Sequence, residues 1–266
     1  MQDLKVSIIQ TNLFWEQVDK NLKQFNRIIR QIKEPTDLIL MPEMFNTGFS
    51  INPGLCAETM DGISVTFLRE KAAEKKAVIM ATLLIREGDS FFNRLIAMYP
   101  DGHCATYDKR HLFRLSEEPK IFTGGKTKCI FQVNGWKILP MICYDLRFPV
   151  WSKNTWQNGS YEYDLLVYLA NWPAIRSYLW KTLLPARAIE NQACVVGVNR
   201  VGRDGHGTLH SGDSMMIDGK GLLLFYAEPG VQVIHTHTFS GQDLELYRES
   251  ITVGMDWDRF TIDEKQ

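Results

Sequence analysis

The chain has 266 residues, 45% of them apolar, and its 30 Lys and Arg almost balance 31 Asp and Glu for a formal net charge of -1. The length suits one large α/β domain. The near-neutral balance offers no field to draw nucleic acid or an anionic membrane, and no apolar run approaches the ~20 residues that span a bilayer.

In chain order, "LKVSIIQ" (4–10) reads as a strand. Residues 15–33 carry Val18, Leu22, Phe25, Ile29 and Ile32 at helical spacing. "DLILMPE" is a strand ending at Glu43, and residues 64–76 form a second helix. "AVIMATLLI" and "FFNRLIAMYP" read as paired strands with Gly88 and Asp89 in the turn. A short strand follows "PDGHC" and leads into "YDKRHLF". "CIFQV" and "KILPMIC" form a hairpin around Asn134-Gly135, a good type I′ pair. "YDLLVYLANW" is a strand, residues 175–193 a long helix, and "CVVGVN" a strand. "DSMMIDGKGLLLFYA" is hairpin-like, and "VQVIHTHTF" closes the series. Strands and helices alternate with added hairpins, which favours helices covering mixed sheets. "TDLILMPEMF" (36–45) echoes "YDLLVYLANW" (163–172), as two halves of a duplicated fold would, although Asp-Leu runs are also common strand starts. Lacking a linker or a low-complexity segment, the chain is expected to be one domain, with a core of about 4–240 and a tail of about 241–266.

Five cysteines stand at 56, 104, 129, 143 and 194. No two form a CxxC pair, so neither a zinc knuckle nor a dithiol redox motif is suggested. "MQDLKVSIIQTNLFW" has no basic n-region, sustained apolar core or small-residue cleavage site. A cytoplasmic protein with reduced thiols is the expectation.

A thiol acts as a nucleophile only where a base can deprotonate it and something stabilises the oxyanion its attack creates. Cys143 ends the apolar run of "LPMICYDLRFP", and two other polar residues end strands in the same manner. Glu43 closes "LILMPE", where a solvated acid opening a loop is the plainer reading. Lys109 lies in "TYDKRHLF", where a solvated lysine is the plainer reading. Glu, Lys and Cys at three strand ends, inside "LILMPEMFNTGF", "YDKRHLF" and "ICYDLRFP" and followed by "ARAIENQ" (186–192), resemble the nitrilase superfamily, the carbon–nitrogen hydrolases. The resemblance covers about residues 4–240. Its four blocks are specific together and weak singly.

The resemblance implies an α/β fold, a four-layer α-β-β-α sandwich. It implies Glu43 as general base, Lys109 as oxyanion stabiliser and Cys143 as nucleophile, without metal or cofactor. Glu118 would be a supporting acid, selected by counting back from Thr123 of the T-x-G step, with Glu117 the alternative. The backbone N–H of Tyr144 would complete the oxyanion site. Family members pair through helical faces, so a homodimer or larger even assembly is implied, with the tail a candidate to reach a partner subunit.

"ICYDLRFP" followed by "ANWP…R…W…LLPARAIENQ" is most similar to the ω-amidase branch. Those enzymes hydrolyse the terminal amide of short dicarboxylic monoamides such as 2-oxoglutaramate and succinamate. The far carboxylate of such a substrate needs a cation. Arg147 and Arg176 are the candidates, a structural ion pair being the alternative for Arg147. Trp172, Tyr144 and Phe49 would wall the pocket, with Asn171 hydrogen-bonding nearby. Arg187 and Glu190, three apart on a helix, read as an ion pair outside the site. His111, two residues after Lys109, reads as packing or a local hydrogen bond. His206 and His210 sit in a Gly-rich loop, and His235 and His237 lack a third ligand, so neither pair reads as a metal site. The rival readings are another branch of the superfamily (nitrilase, N-carbamoyl hydrolase, deaminated glutathione amidase) and, more distantly, a non-catalytic binding protein.

Overall fold

A computed structural model of the chain describes residues 1–262. The first half contributes strands β1 (Leu4–Gln10), β2 (Leu38–Leu40), β3 (Val78–Glu87), β4 (Ser90–Met98) and β5 (Cys104–Asp108). The second contributes β6 (Phe131–Val133), β7 (Trp136–Ile142), β8 (Trp156–Gln157), β9 (Ser160–Tyr161), β10 (Leu165–Ala170), β11 (Cys194–Asn199), β12 (Val201–Arg203), β13 (Leu209–Ser211), β14 (Met215–Ile217), β15 (Leu223–Tyr226) and β16 (Val233–Phe239). The helices are α1 (Val18–Gln31), α2 (Pro53–Cys56), α3 (Ile63–Lys75), α4 (Glu118–Ile121), α5 (Pro149–Ser152), α6 (Ser177–Asn191) and α7 (Gly241–Ser250).

Two six-stranded sheets run in the orders β16-β1-β2-β3-β4-β5 and β15-β14-β11-β10-β7-β6. In the first, β1, β2 and β3 are parallel while β4, β5 and β16 join antiparallel. In the second, β7, β10 and β11 are parallel while β6, β14 and β15 join antiparallel. Order and direction are the same in both sheets, and the echoing segments 36–45 and 163–172 supply the middle strand of each parallel trio. β2 and β10 are buried along their whole length, as apolar runs covered on both faces must be.

The inner faces of the sheets pack together. Val6, Ile8, Leu38 and Met80 of the first sheet share one buried cluster with Ile138, Ile142, Leu165 and Val196 of the second. Helices α1 and α3 close the outside of the first sheet through Phe25, Ile29 and Leu68 against Ile39 and Ile79. α6 closes the outside of the second. A Cβ on Gly197 of β11 would lie 2.5 Å from Leu184 of α6, so glycine there sets the closeness of helix to sheet. The result is an α-β-β-α sandwich. Truncating Leu184 to Ala would cost about 2–5 kcal/mol.

The expected hairpins are present, and Asn134 and Gly135 both take positive φ, 49° and 81°, as a type I′ turn requires. The small ribbons β8–β9 and β12–β13, the one-turn helices α2, α4 and α5, and helix α7 are additional. α7 starts at Ser240, whose hydroxyl accepts from the Asp243 N–H, and Arg248 near its end pairs with Asp164 at 2.6 Å. The tail therefore packs on its own chain as far as it is described, and residues 263–266 lie outside the described residues. Among the described residues no helix is long and apolar enough to cross a membrane.

Candidate active site

Four strands end at one place. Glu43 follows β2, Lys109 follows β5, Cys143 follows β7 and Asn171 follows β10. All four line a cavity of about 410 Å³ together with Phe49, Tyr144, Arg147, Trp172 and Arg176, so every site residue read from the sequence except Glu118 borders the same space. Glu118 lies immediately behind it.

The three ionisable groups at the base are almost wholly buried, Glu43 and Lys109 at 1% exposure and Glu118 at 0%. Lys109 Nζ donates to Glu43 Oε1 at 3.1 Å and to both Glu118 oxygens at 3.0 and 3.1 Å. It also stands 4.9 Å from the centre of the Phe49 ring. Burial disfavours the ammonium, but Glu118 and Glu43, with Cys143, outweigh it and hold the Lys109 pKa above its usual range. Glu118 is raised by burial, against the pull of Lys109. Glu117 is exposed and pairs instead with Lys120 at 2.7 Å. Glu43 is gripped from three sides. Oε1 also accepts from Asn93 Nδ2 at 2.8 Å, Oε2 accepts from the Asn171 N–H at 2.8 Å, and the Asn171 amide bonds to the Glu43 carbonyl.

Cys143 is the first residue of a 3-10 helix, Cys143–Arg147, and its φ is +42°, a left-handed conformation that costs a non-glycine residue about 1–2 kcal/mol. The chain turns sharply there and presents the side chain to the cavity. Burial first, and then Glu43, push the thiol pKa well above its ordinary value, while Lys109 and the Asn171 backbone oppose the shift. A thiol held in such surroundings would need a base beside it to act as a nucleophile.

The cavity has aromatic walls. Tyr144 meets Phe113 and Phe148 edge-on at 5.2 and 5.1 Å. The Arg176 guanidinium lies 5.5 Å from the Phe113 ring, and its carbonyl accepts from Trp172 Nε1. Neither Arg147 nor Arg176 forms an ion pair among the described residues. His111 stacks on Phe148 at 3.7 Å and bonds to Asp145 through its N–H and Nδ1, so it packs beside the site. Arg187 pairs with Glu190 at 2.9 Å and also donates to the Leu146 carbonyl, pinning the 3-10 helix from outside the cavity. His206 and His210 border the cavity but belong to no potential metal cluster among the described residues.

The carbon-nitrogen hydrolase family model matches residues 5–241. The chain belongs to the carbon-nitrogen hydrolase family. Among curated relatives, "Omega-amidase YafV" of Yersinia enterocolitica is 40% identical over 98% of this chain and 100% of its own length. "2-oxoglutaramate amidase" of Bacillus subtilis is 30% identical over 93% of this chain and 95% of its own. Among solved structures, XC1258 from Xanthomonas campestris, described as a CN-hydrolase superfamily protein with an arsenic adduct in the active site, has a TM-score of 0.96 at 37% identity and covers 99% of this chain and 100% of that one.

Two of this hydrolase's buried groups escaped the sequence. Asn93, in the middle of β4, reads as one polar residue in an alternating strand, yet it is 0% exposed and bonds to Glu43. Asp145 reads as a turn acid, yet it is 0% exposed beneath Cys143. The loop from Asp204 to His210, which forms one wall of the cavity, carried only the signal of its glycines.

Proposed function

We propose that the chain is a thiol-dependent amidohydrolase of the ω-amidase type. It releases ammonia from the terminal amide of a short dicarboxylic monoamide such as 2-oxoglutaramate or succinamate. The reading rests on the Cys143 thiol, the buried Glu43 carboxyl and the buried Lys109 ammonium meeting at one cavity, which Arg147 and Arg176, without an ion pair among the described residues, also line. The activities for which the similar relatives are named favour the same substrate class.

Glu43 takes the Sγ proton as Cys143 attacks the amide carbon. The oxyanion is met by Lys109 Nζ and the Tyr144 N–H. When the C–N bond breaks, Glu43 returns the proton to the nitrogen and ammonia leaves, so a thioester remains on Cys143. Glu43 then deprotonates a water that attacks the thioester, the C–S bond breaks, and the carboxylic acid departs as the thiol recovers its proton. Glu118 holds Lys109 from behind, and Asn93 and Asn171 hold Glu43. Arg147 or Arg176 takes the far carboxylate, and Phe49, Tyr144 and Trp172 shape the space between. Only the protein's own groups and water act in this scheme, and no metal or cofactor enters it.

We infer further a cytoplasmic enzyme that pairs through its helical layer. Exposed Tyr178 (75%) and Ile189 (54%) on α6 support pairing there. Light scattering on the purified chain would read twice the mass of one chain, or a larger even multiple.

The substrate reading is tested by ammonia release from 2-oxoglutaramate, succinamate, a nitrile and an N-carbamoyl amino acid. The two ω-amides should turn over far faster than the others. Turnover of the carbamoyl compound or the nitrile alone would overturn the substrate class. Within the ω-amides, Arg147→Gln and Arg176→Gln should separate. One should raise KM at least tenfold, the loss expected when a charged hydrogen bond to carboxylate disappears.

A further inference from the structure

Asp145 lies two residues past the thiol, with its side chain fully buried. Four donors converge on it. Oδ2 accepts from the Ile142 N–H at 3.0 Å and from the Tyr107 hydroxyl at 2.8 Å. Oδ1 accepts from the His111 N–H at 3.0 Å and from His111 Nδ1 at 2.8 Å. The Tyr107 oxygen itself accepts from Trp151 Nε1 at 3.0 Å, so its proton is directed to Asp145. Both carboxylate oxygens are therefore used only as acceptors.

The four donors belong to two pieces of backbone. Ile142 is the last residue of β7 and directly precedes Cys143. Tyr107 and His111 flank Lys109, one on β5 and one just beyond it. The main chain of Asp145 contributes as well, because its carbonyl accepts from the Phe148 N–H at 3.0 Å and closes the 3-10 helix that Cys143 begins. A left-handed Cys143 persists only where the surroundings over-determine it. Here one carboxylate holds the residue before the turn and, at the same time, the segment that carries the lysine.

We propose that Asp145 is a positioning residue for the reaction, fixing Cys143 relative to Lys109 by bonding to the strand of one and the arm of the other. It touches no substrate. The proposal rests on the reading of Cys143 as the nucleophile. Asparagine cannot replace Asp145, because one half of its amide is a donor and would face two of the four donors whichever way it is turned. Relaxing that conflict moves the thiol relative to the ammonium, and a misplacement of 1 Å is worth on the order of 100-fold in rate.

The test is Asp145→Asn in the full chain, with 2-oxoglutaramate as substrate and folding followed by near-UV circular dichroism. The expected result is a folded protein whose kcat falls about 100-fold while KM changes less than about threefold. A purely structural role would lower the melting temperature and leave kcat per folded molecule intact. Unchanged kcat in the folded variant, or a loss that appears only as a higher KM, overturns the proposal. If Asp145→Asn does not fold, Tyr107→Phe decides, since it deletes one donor from the lysine side and keeps the carboxylate. There kcat falls several-fold at constant KM, and a wild-type kcat overturns the proposal. Cys143→Ala is run alongside. Activity in that variant rejects the nucleophile itself, whereas an inactive Cys143→Ala beside a fully active Asp145→Asn rejects only the role of Asp145.

Discussion

Replacing Lys109 with methionine removes the ammonium and keeps most of the side-chain volume. Glu43 and Glu118 are then left facing each other without a cation. Both bond to the same Nζ, so their nearest oxygens are no more than about 6 Å apart. Two unit charges at that distance repel by about 3 kcal/mol at an effective dielectric of 20. One carboxyl avoids this by holding a proton, and Glu118 does so first because burial already raises its pKa. Its folded pKa in the variant then lies well above the ~4.3 of the unfolded chain. A group raised in this way contributes stability that is complete below the unfolded value and disappears as pH rises through the folded one. Relative to wild type, Lys109→Met should lose about 3 kcal/mol at pH 8 and no more than about 1 kcal/mol at pH 5. At roughly 2–4 °C per kcal/mol, the melting temperature at pH 8 drops by about 6–12 °C. Urea unfolding at the two pH values measures both losses. A loss equal at both, or none at pH 8, refutes the picture of two buried carboxylates sharing one ammonium.

Three further outcomes follow from the same geometry. Asn93→Leu removes a neutral donor from a buried carboxylate, worth about 2 kcal/mol, so kcat/KM should fall roughly 30-fold, and steady-state kinetics at wild-type activity would contradict the grip on Glu43. His210 is 3% exposed, and burial, followed by Arg200, lowers its pKa to about 4, so its neutral form contributes stability above pH 6.5 that is lost as pH falls toward 4. By pH 5 that loss is about 2 kcal/mol, and His210→Asn should flatten the fall in unfolding free energy between pH 7 and 5, an unchanged slope being the contrary result. A Cβ on Gly125 would lie 2.1 Å from the Asp108 carbonyl, beside Lys109, so Gly125→Ala should displace the lysine arm and depress both melting temperature and activity.

The sheets, and Glu43, Cys143 and Asn171 at their ends, were legible because they depend on local pattern. β2, β7 and β10 are apolar runs that stop at a polar residue, and that residue is the one presented to the cavity. Even the shared strand order of the two sheets left a trace, in the likeness of 36–45 to 163–172. Glu118 could be separated from Glu117 only by counting, since the distinction depends on which side chain turns inward across a one-turn helix. Asn93 and Asp145 were not legible. A buried Asn in the middle of a strand has the same alternation as an exposed one, and its partner Glu43 lies 50 positions earlier. The partners of Asp145 come from β5 and β7, two strands of different sheets, so no window of sequence contains them. Helix α7 did leave a sign that went unused, a serine cap at Ser240 with an acid three residues on.

Cys143 is expected to carry the acyl group during turnover. The direct measurement is peptide mass mapping of enzyme quenched in acid during turnover of 2-oxoglutaramate, with Cys143→Ala as the paired sample. The expected result is an acyl adduct on the peptide that contains Cys143, and neither adduct nor ammonia from Cys143→Ala. An adduct on Cys56, Cys104, Cys129 or Cys194, or sustained ammonia release by Cys143→Ala, would contradict it.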